Sequence, residues 1–118
     1  MTEKWVIGII PDATTAEILL NNLSDADFNL ADLSLILRDQ KLGEKIAKDT
    51  GPFKGIRYDQ ISARLVQAGL NVQDALAYQN SVAQGKVLAV MKTAPEVLEA
   101  AKEMFADQSG ESIKEIKP

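Results

Sequence analysis

Two apolar segments, far apart in the chain, set the main requirement that the fold must satisfy. They are KWVIGII at residues 4–10 and KVLAVMK at residues 86–92. Residues of this type favour strands, and side chains along a strand alternate between the two faces of its sheet. A run that is apolar at successive positions therefore predicts a central strand with both faces covered.

The other segments predict the order β-α-β, helical insert, β-α-β. A helix is expected at 13–23 and a second strand at 33–38, whereas residues 39–85 contain helix and loop signals without a strand. A further helix to about residue 106 follows the third strand, and ESIKEIKP supplies a short edge strand. Two split β-α-β units predict an α+β, ferredoxin-like sandwich with a helical insert at about 39–85, formed as a single domain over residues 1–118.

Helix starts are marked by capping residues. Asp12 precedes the first helix, and Asn71 precedes a helix expected over 72–84. Thr93 and Glu96 have the spacing of a capping box for the last helix.

One face of the predicted sheet is left without a cover, because the two crossover helices can lie on only one face. The insert or a second subunit must cover the other, and the sequence leaves both alternatives open. The insert's last helix has an apolar stripe, aligned as Val72, Ala75, Leu76, Val82 and Ala83. This two-sided apolar sheet leads us to expect a homodimer or another protein partner.

Composition narrows the function classes. The 17 acidic and 13 basic side chains give a net charge of −4, which argues against a nucleic-acid surface. The chain has no cysteine and no histidine, which excludes disulfides, thiolate nucleophiles, the usual zinc sites and histidine triads. No segment approaches the roughly 18 apolar residues of a membrane span, and no signal peptide is evident. We therefore expect a soluble, cytoplasmic protein that has no membrane partner.

The segment DTGPFKGIRYDQ at residues 49–60 raises the question of a phosphate-binding loop. Its glycines, Gly51 and Gly55, do not have the spacing of a P-loop, and its lysine precedes the second glycine. The favoured interpretation is a turn between helices, in which Gly51 ends a helix at 41–49 in a left-handed conformation. The alternative is an anion or small-molecule site formed by Lys54, Arg57 and Tyr58.

The remaining candidate residues predict packing rather than chemistry. The aspartates lack a recognised ligand or acid–base spacing, so we expect no catalytic residue, no metal site, no cofactor and no enzymatic activity. Trp5 and Tyr78 are expected at core or interface positions. Gln79 lies in the apolar stripe of its helix, where it either ties the insert to a neighbouring helix or contacts a ligand or partner.

Two passages carry a family resemblance. VIGIIPDATTAEILLNNL at 6–23 and GLNVQDALAYQNSVAQGKVLAVMK at 69–92 resemble the general stress protein family, also described as heat-induced stress protein YflT-like domains. The second passage matches the family pattern at Gly69, Leu70, Tyr78 and Gly85. The resemblance implies a small bacterial cytoplasmic domain linked to stress, without an established activity. The chain departs from many relatives by carrying TGPFKGIRYDQISARL in place of a glycine-rich helix.

Residues and resemblance together predict a non-catalytic, bacterial, stress-associated domain that acts through self-association or protein partners. The alternative is a regulatory sensor that binds a small molecule or anion at the insert loop around 50–58. That alternative rests on analogy between folds.

Overall fold

The computed structural model describes residues 4–116, and within that range the chain is α+β, as predicted. Short 3-10 turns precede β2, α3 and α5. The elements are β1 (Lys4–Ile10), α1 (Ala13–Asp25), β2 (Leu33–Ile36), α2 (Gln40–Ile46), α3 (Ile61–Gln67), α4 (Val72–Ala83), β3 (Val87–Thr93), α5 (Leu98–Asp107) and β4 (Glu111–Ile116).

The four strands form one antiparallel sheet in the order β2-β3-β1-β4. The two apolar segments are the central pair, with Lys4 opposite Thr93 and Ile10 opposite Val87. β2 and β4 lie at the edges, which confirms the predicted roles of all four strands. The prediction placed the last strand through Pro118, and residues 117 and 118 lie outside the described range.

Both faces of the sheet are covered. One face packs against α1 and α5, through residues such as Val6, Leu19 and Phe105. The opposite face packs against the insert, where Ile7 and Val90 share a core with Leu65 and others. Within the described residues the insert therefore covers the face that the sequence left open. No sheet face is left uncovered there to favour a homodimer, and the oligomeric state stays a prediction.

The two predicted caps at Asp12 and Asn71 are confirmed. An oxygen of Asp12 accepts the backbone N–H of Thr15 at 2.7 Å, and this hydrogen bond lowers the pKa of the Asp12 carboxyl. The side chain of Asn71 accepts the backbone N–H of Asp74 at 2.8 Å. Each bond satisfies a donor that the first turn of the helix leaves free.

The predicted capping box at Thr93 is wrong. Thr93 is the last residue of β3, paired with Lys4, and its hydroxyl donates to the Lys4 carbonyl at 3.3 Å. The strand pairing therefore holds Thr93 in the sheet. The following 3-10 turn, Pro95–Val97, begins after Ala94 and leads into α5.

The loop after α2 does not have the predicted structure. α2 ends at Ile46 because Ala47 is already extended, with φ −146° and ψ 156°. β2 also ends earlier than expected, at Ile36. Gly51 does adopt a left-handed conformation, with φ +80°, but it lies in a turn beyond the helix and does not end it.

Residues 49–53, which we call the edge loop, lie against the edge strand β2. The Ser34 hydroxyl donates to the Thr50 carbonyl at 2.6 Å and accepts the backbone N–H of Phe53 at 2.9 Å. The Thr50 hydroxyl lies 2.9 Å from the carbonyl oxygen of Leu33. Buried Ser34 thus finds both a donor and an acceptor in a segment that is sixteen or more residues away.

Candidate functional site

A cleft of about 220 Å³ lies between the end of β2, helix α2 and residues 56–59. It has an apolar part that includes Leu35, Ile36 and Ile56, and a ring from Tyr58. Its charged lining residues are Arg38, Glu44, Lys48, Asp49, Arg57 and Asp59. A concave surface that combines apolar side chains with a few convergent charges is the usual form of a small-ligand site.

Arg38 is fixed at the cleft by two contacts. Its Nη1 donates to the carbonyl oxygen of Ala83, at the end of α4, at 2.9 Å. Its guanidinium carbon lies 6.0 Å from the centre of the Tyr58 ring, within the range of a cation–π contact. Arg38 therefore positions Tyr58 and connects the end of β2 to the insert.

Arg57 is held more loosely. Its Nη2 lies 3.3 Å from Asp59, and both side chains are exposed. Its backbone N–H donates to the side chain of Gln60 at 3.0 Å, which fixes the main chain and leaves the guanidinium outside the fold. Exposed ion pairs contribute only about 0–1 kcal/mol, so an incoming anion can replace Asp59 at little cost.

Lys54 is not part of this cleft, although the sequence grouped it with Arg57 and Tyr58. It is exposed, in the turn that follows the edge loop. The carboxylate of Asp49 accepts the backbone N–H of Gly55 at 2.9 Å and closes this turn. Sequence reasoning also missed Arg38 and Lys48, because they approach the cleft from the two ends of a helical segment and share no motif with Arg57.

Trp5 lies beneath the insert, on the face of the sheet that the insert covers. Its ring meets Phe53 edge-on, with centroids 5.8 Å apart. The guanidinium of Arg64 lies 5.0 Å from the Trp5 ring centre and 5.4 Å from that of Phe53. Trp5 thus contacts both the edge loop and α3.

Tyr78 and Gln79 connect α4 to its neighbours. Oε1 of Gln79 accepts the backbone N–H of Ser62, in the first turn of α3, at 2.9 Å. The Tyr78 hydroxyl donates to the carbonyl of Ser112 in β4, and burial raises the pKa of this phenol, with a further contribution from the charge of Asp74. Neither residue lines the cleft.

The carboxyl of Asp74 accepts a hydrogen bond from the Lys114 ammonium at 2.8 Å, which lowers the pKa of Asp74. This pair ties α4 to β4. Residues 4–116 contain no group of three or more acidic side chains placed to hold a metal ion, and no helix in that range is long and apolar enough to cross a membrane.

Comparison of the chain with protein-family models, with curated proteins and with solved structures gives no match. The resemblance to stress-protein domains therefore stays a prediction.

Proposed function

We propose that the chain is a non-catalytic, ferredoxin-like binding domain of a bacterial stress response, which acts through association with itself or with another protein. The strand order supports the ferredoxin-like part, because from the β4 edge it reads β4-β1-β3-β2, so one strand of each β-α-β unit lies between the two strands of the other. The packing of α1 and α5 against the same face of the sheet supports it further.

The observation that carries the association part is the apolar outer surface of the insert. Val66, Val72 and Leu76 are exposed on α3 and α4, although two of them belong to the predicted core stripe. Clustered apolar side chains on a soluble surface mark interaction sites more often than single ones do. Sedimentation velocity over the micromolar range tests self-association. A mass that rises above that of the monomer with concentration is expected, and a monomer at every concentration contradicts self-association.

The stress-related part rests on the resemblance of residues 6–23 and 69–92. Immunoblots of the native cells before and after a shift to heat test it. The level of the protein should rise, and an unchanged level under heat would count against the heat-induced role.

The cleft supports a second candidate function, which is the binding of a small anion by a regulatory domain. The observation that favours it is the exposed guanidinium of Arg57, on a lining that also carries Lys48 and Arg38, whose guanidinium lies over the Tyr58 ring. Phosphate groups prefer such guanidinium partners.

A thermal-shift screen with nucleotides and phosphorylated metabolites tests this second candidate. Arg57→Ala removes a lining cation, whereas Lys54→Ala removes an exposed cation of the same segment from outside the cleft and is the matched control. A ligand of the cleft should stabilise wild type and Lys54→Ala but not Arg57→Ala. No stabilisation of wild type by any compound, or equal stabilisation of both variants, would contradict anion binding at this cleft.

A further inference from the structure

The segment that forms α3, α4 and their connecting turn is almost free of charge. Residues 61–85 contain one of the 13 basic and one of the 17 acidic side chains of the chain, Arg64 and Asp74. The net charge of −4 therefore resides entirely outside this segment. A solvated helical hairpin usually carries Lys and Glu on its outer side, so their absence needs a physical reason.

The two charges that do occur in the segment are already engaged. The Arg64 guanidinium lies over the rings of Trp5 and Phe53, directed toward the sheet. The Asp74 carboxylate is paired with Lys114 of β4 at 2.8 Å. Neither is an isolated charge on the outside of the hairpin.

Exposed apolar side chains cluster at one side of the hairpin. The Gln79–Ser62 hydrogen bond and the short turn between the helices show that α3 and α4 run side by side in opposite directions. Val66 lies one turn beyond Ser62 along α3, and Leu76 lies about one turn before Gln79 along α4, so both approach the connecting turn. Val72 is four residues from Leu76 and shares its side of α4.

Val66 is 41% exposed, Val72 is 59% exposed and Leu76 is 43% exposed. The exposed residues next to them, or one helical turn away, carry no charge; they include Gln67, Gly69, Asn71, Gln73, Ala77 and Asn80. We call this surface the hairpin face. Apolar side chains with charged residues depleted around them are typical of the centre of a protein–protein interface.

We infer that the hairpin face binds a second copy of the same chain in a twofold-symmetric dimer. The inference rests on the proposed function and names its partner and surface. In a twofold contact, residues near the axis meet their own copies, so any net charge there would face a like charge. The hairpin face meets this condition, whereas the rest of the chain carries the net negative charge and repels its copy. A strongly acidic or basic partner would find no unpaired opposite charge on this face.

Sedimentation velocity on four proteins tests the inference: wild type, Val72→Asp, Leu76→Asp and Ile18→Asp. Ile18 lies on α1, on the opposite side of the sheet, and is exposed by 46%, so its variant matches the chemistry and exposure of the other two. A dimer through the hairpin face predicts that wild type and Ile18→Asp dimerise alike. Val72→Asp and Leu76→Asp should each dissociate at least about tenfold more readily, because a carboxylate is then buried opposite its own copy.

Far-UV circular dichroism and the fluorescence of Trp5, the one tryptophan of the chain, verify that each variant is folded. A wild type that is monomeric at every concentration overturns both the inference and self-association. A wild-type dimer that the two hairpin variants do not weaken overturns the surface and leaves self-association standing. Equal weakening by Ile18→Asp overturns it too, because the effect then comes from overall charge.

Salt supplies an independent measurement. Since the protomers repel through net charge and meet through a neutral face, added sodium chloride should tighten the dimer by screening the repulsion. A dimer that weakens with salt is held by ion pairs and contradicts the inference.

Discussion

Replacement of Gly51 by alanine tests whether the edge loop is fitted to β2. A Cβ on Gly51 would lie 2.5 Å from the Ser34 hydroxyl oxygen and 2.6 Å from the carbonyl carbon of Leu33. Backbone atoms of a paired strand cannot move away as a flexible side chain can. Gly55 is a matched control, because its φ is +79° against +80° for Gly51, while a Cβ there meets no atom within 4 Å.

The cost of a left-handed backbone is therefore common to both variants. The difference between their losses in free energy of unfolding measures the clash of the Gly51 Cβ with β2. A left-handed alanine costs about 1–2 kcal/mol, offset by about 0.4–1 kcal/mol from the stiffer unfolded chain. Gly55→Ala should therefore lower the free energy of unfolding by about 1 kcal/mol. Overpacking adds about 1–3 kcal/mol, so Gly51→Ala should lose about 2–4 kcal/mol.

Urea titration followed by circular dichroism measures both values, and the slope of the transition shows whether the unfolding stays two-state. The Trp5 fluorescence should change in native Gly51→Ala and stay unchanged in Gly55→Ala, because Trp5 contacts Phe53 at the end of the edge loop. Equal losses within about 0.5 kcal/mol would refute the close approach of the edge loop to β2.

Three further measurements address the contacts of the insert. Tyr78→Phe should cost about 1 kcal/mol at neutral pH, because the Ser112 carbonyl loses its partner. The raised pKa keeps Tyr78 protonated in the folded protein above about pH 10, where an unfolded tyrosine ionises. The free energy of unfolding of wild type should therefore fall as the pH rises above about 10. Urea titrations should show a shallower fall for Tyr78→Phe. Asn71→Ala should lower the free energy of unfolding by about 1 kcal/mol through loss of the α4 cap, and no change in a urea titration would contradict that role. Phe53→Ala should cost about 3–5 kcal/mol and shift the Trp5 emission to longer wavelength, whereas an unshifted emission would mean that Phe53 does not shield the indole.

The parts of the fold that the sequence predicted depend on local signals. Continuous apolar runs identified the central strands, and short polar side chains at Asp12 and Asn71 identified two helix starts, because each signal acts within a few residues. The same local reasoning failed at Thr93, where a capping pattern competes with pairing to Lys4, 89 residues away. Long-range strand pairing prevailed over the local cap.

Contacts between segments that are distant in the chain could not be predicted from the sequence. A continuous apolar run shows that both faces of a strand are covered, but it does not identify the segment that covers them. The sequence alone therefore could not assign this role to the insert. The fold of the insert places Arg57 and Arg38 on the lining of one cleft, and no sequence spacing predicts that they share it. Val72 and Leu76 fitted a helical core stripe by periodicity, yet the packing of α4 on α3 and β3 buries only Ala75 and Val82 of that stripe fully and leaves Val72 and Leu76 exposed.

The edge loop also has a consequence for aggregation. β2 is an outer strand, and its unpaired backbone groups would offer another chain a place to add a strand if residues 49–53 detached. Such detachment requires only local unfolding, which is less costly than loss of the whole fold. The aggregation rate of this protein should therefore follow the opening of one short loop rather than its global stability. We therefore expect the hydroxyl groups of Ser34 and Thr50, which bond this loop to β2, to oppose aggregation, a role distinct from any binding function of the insert.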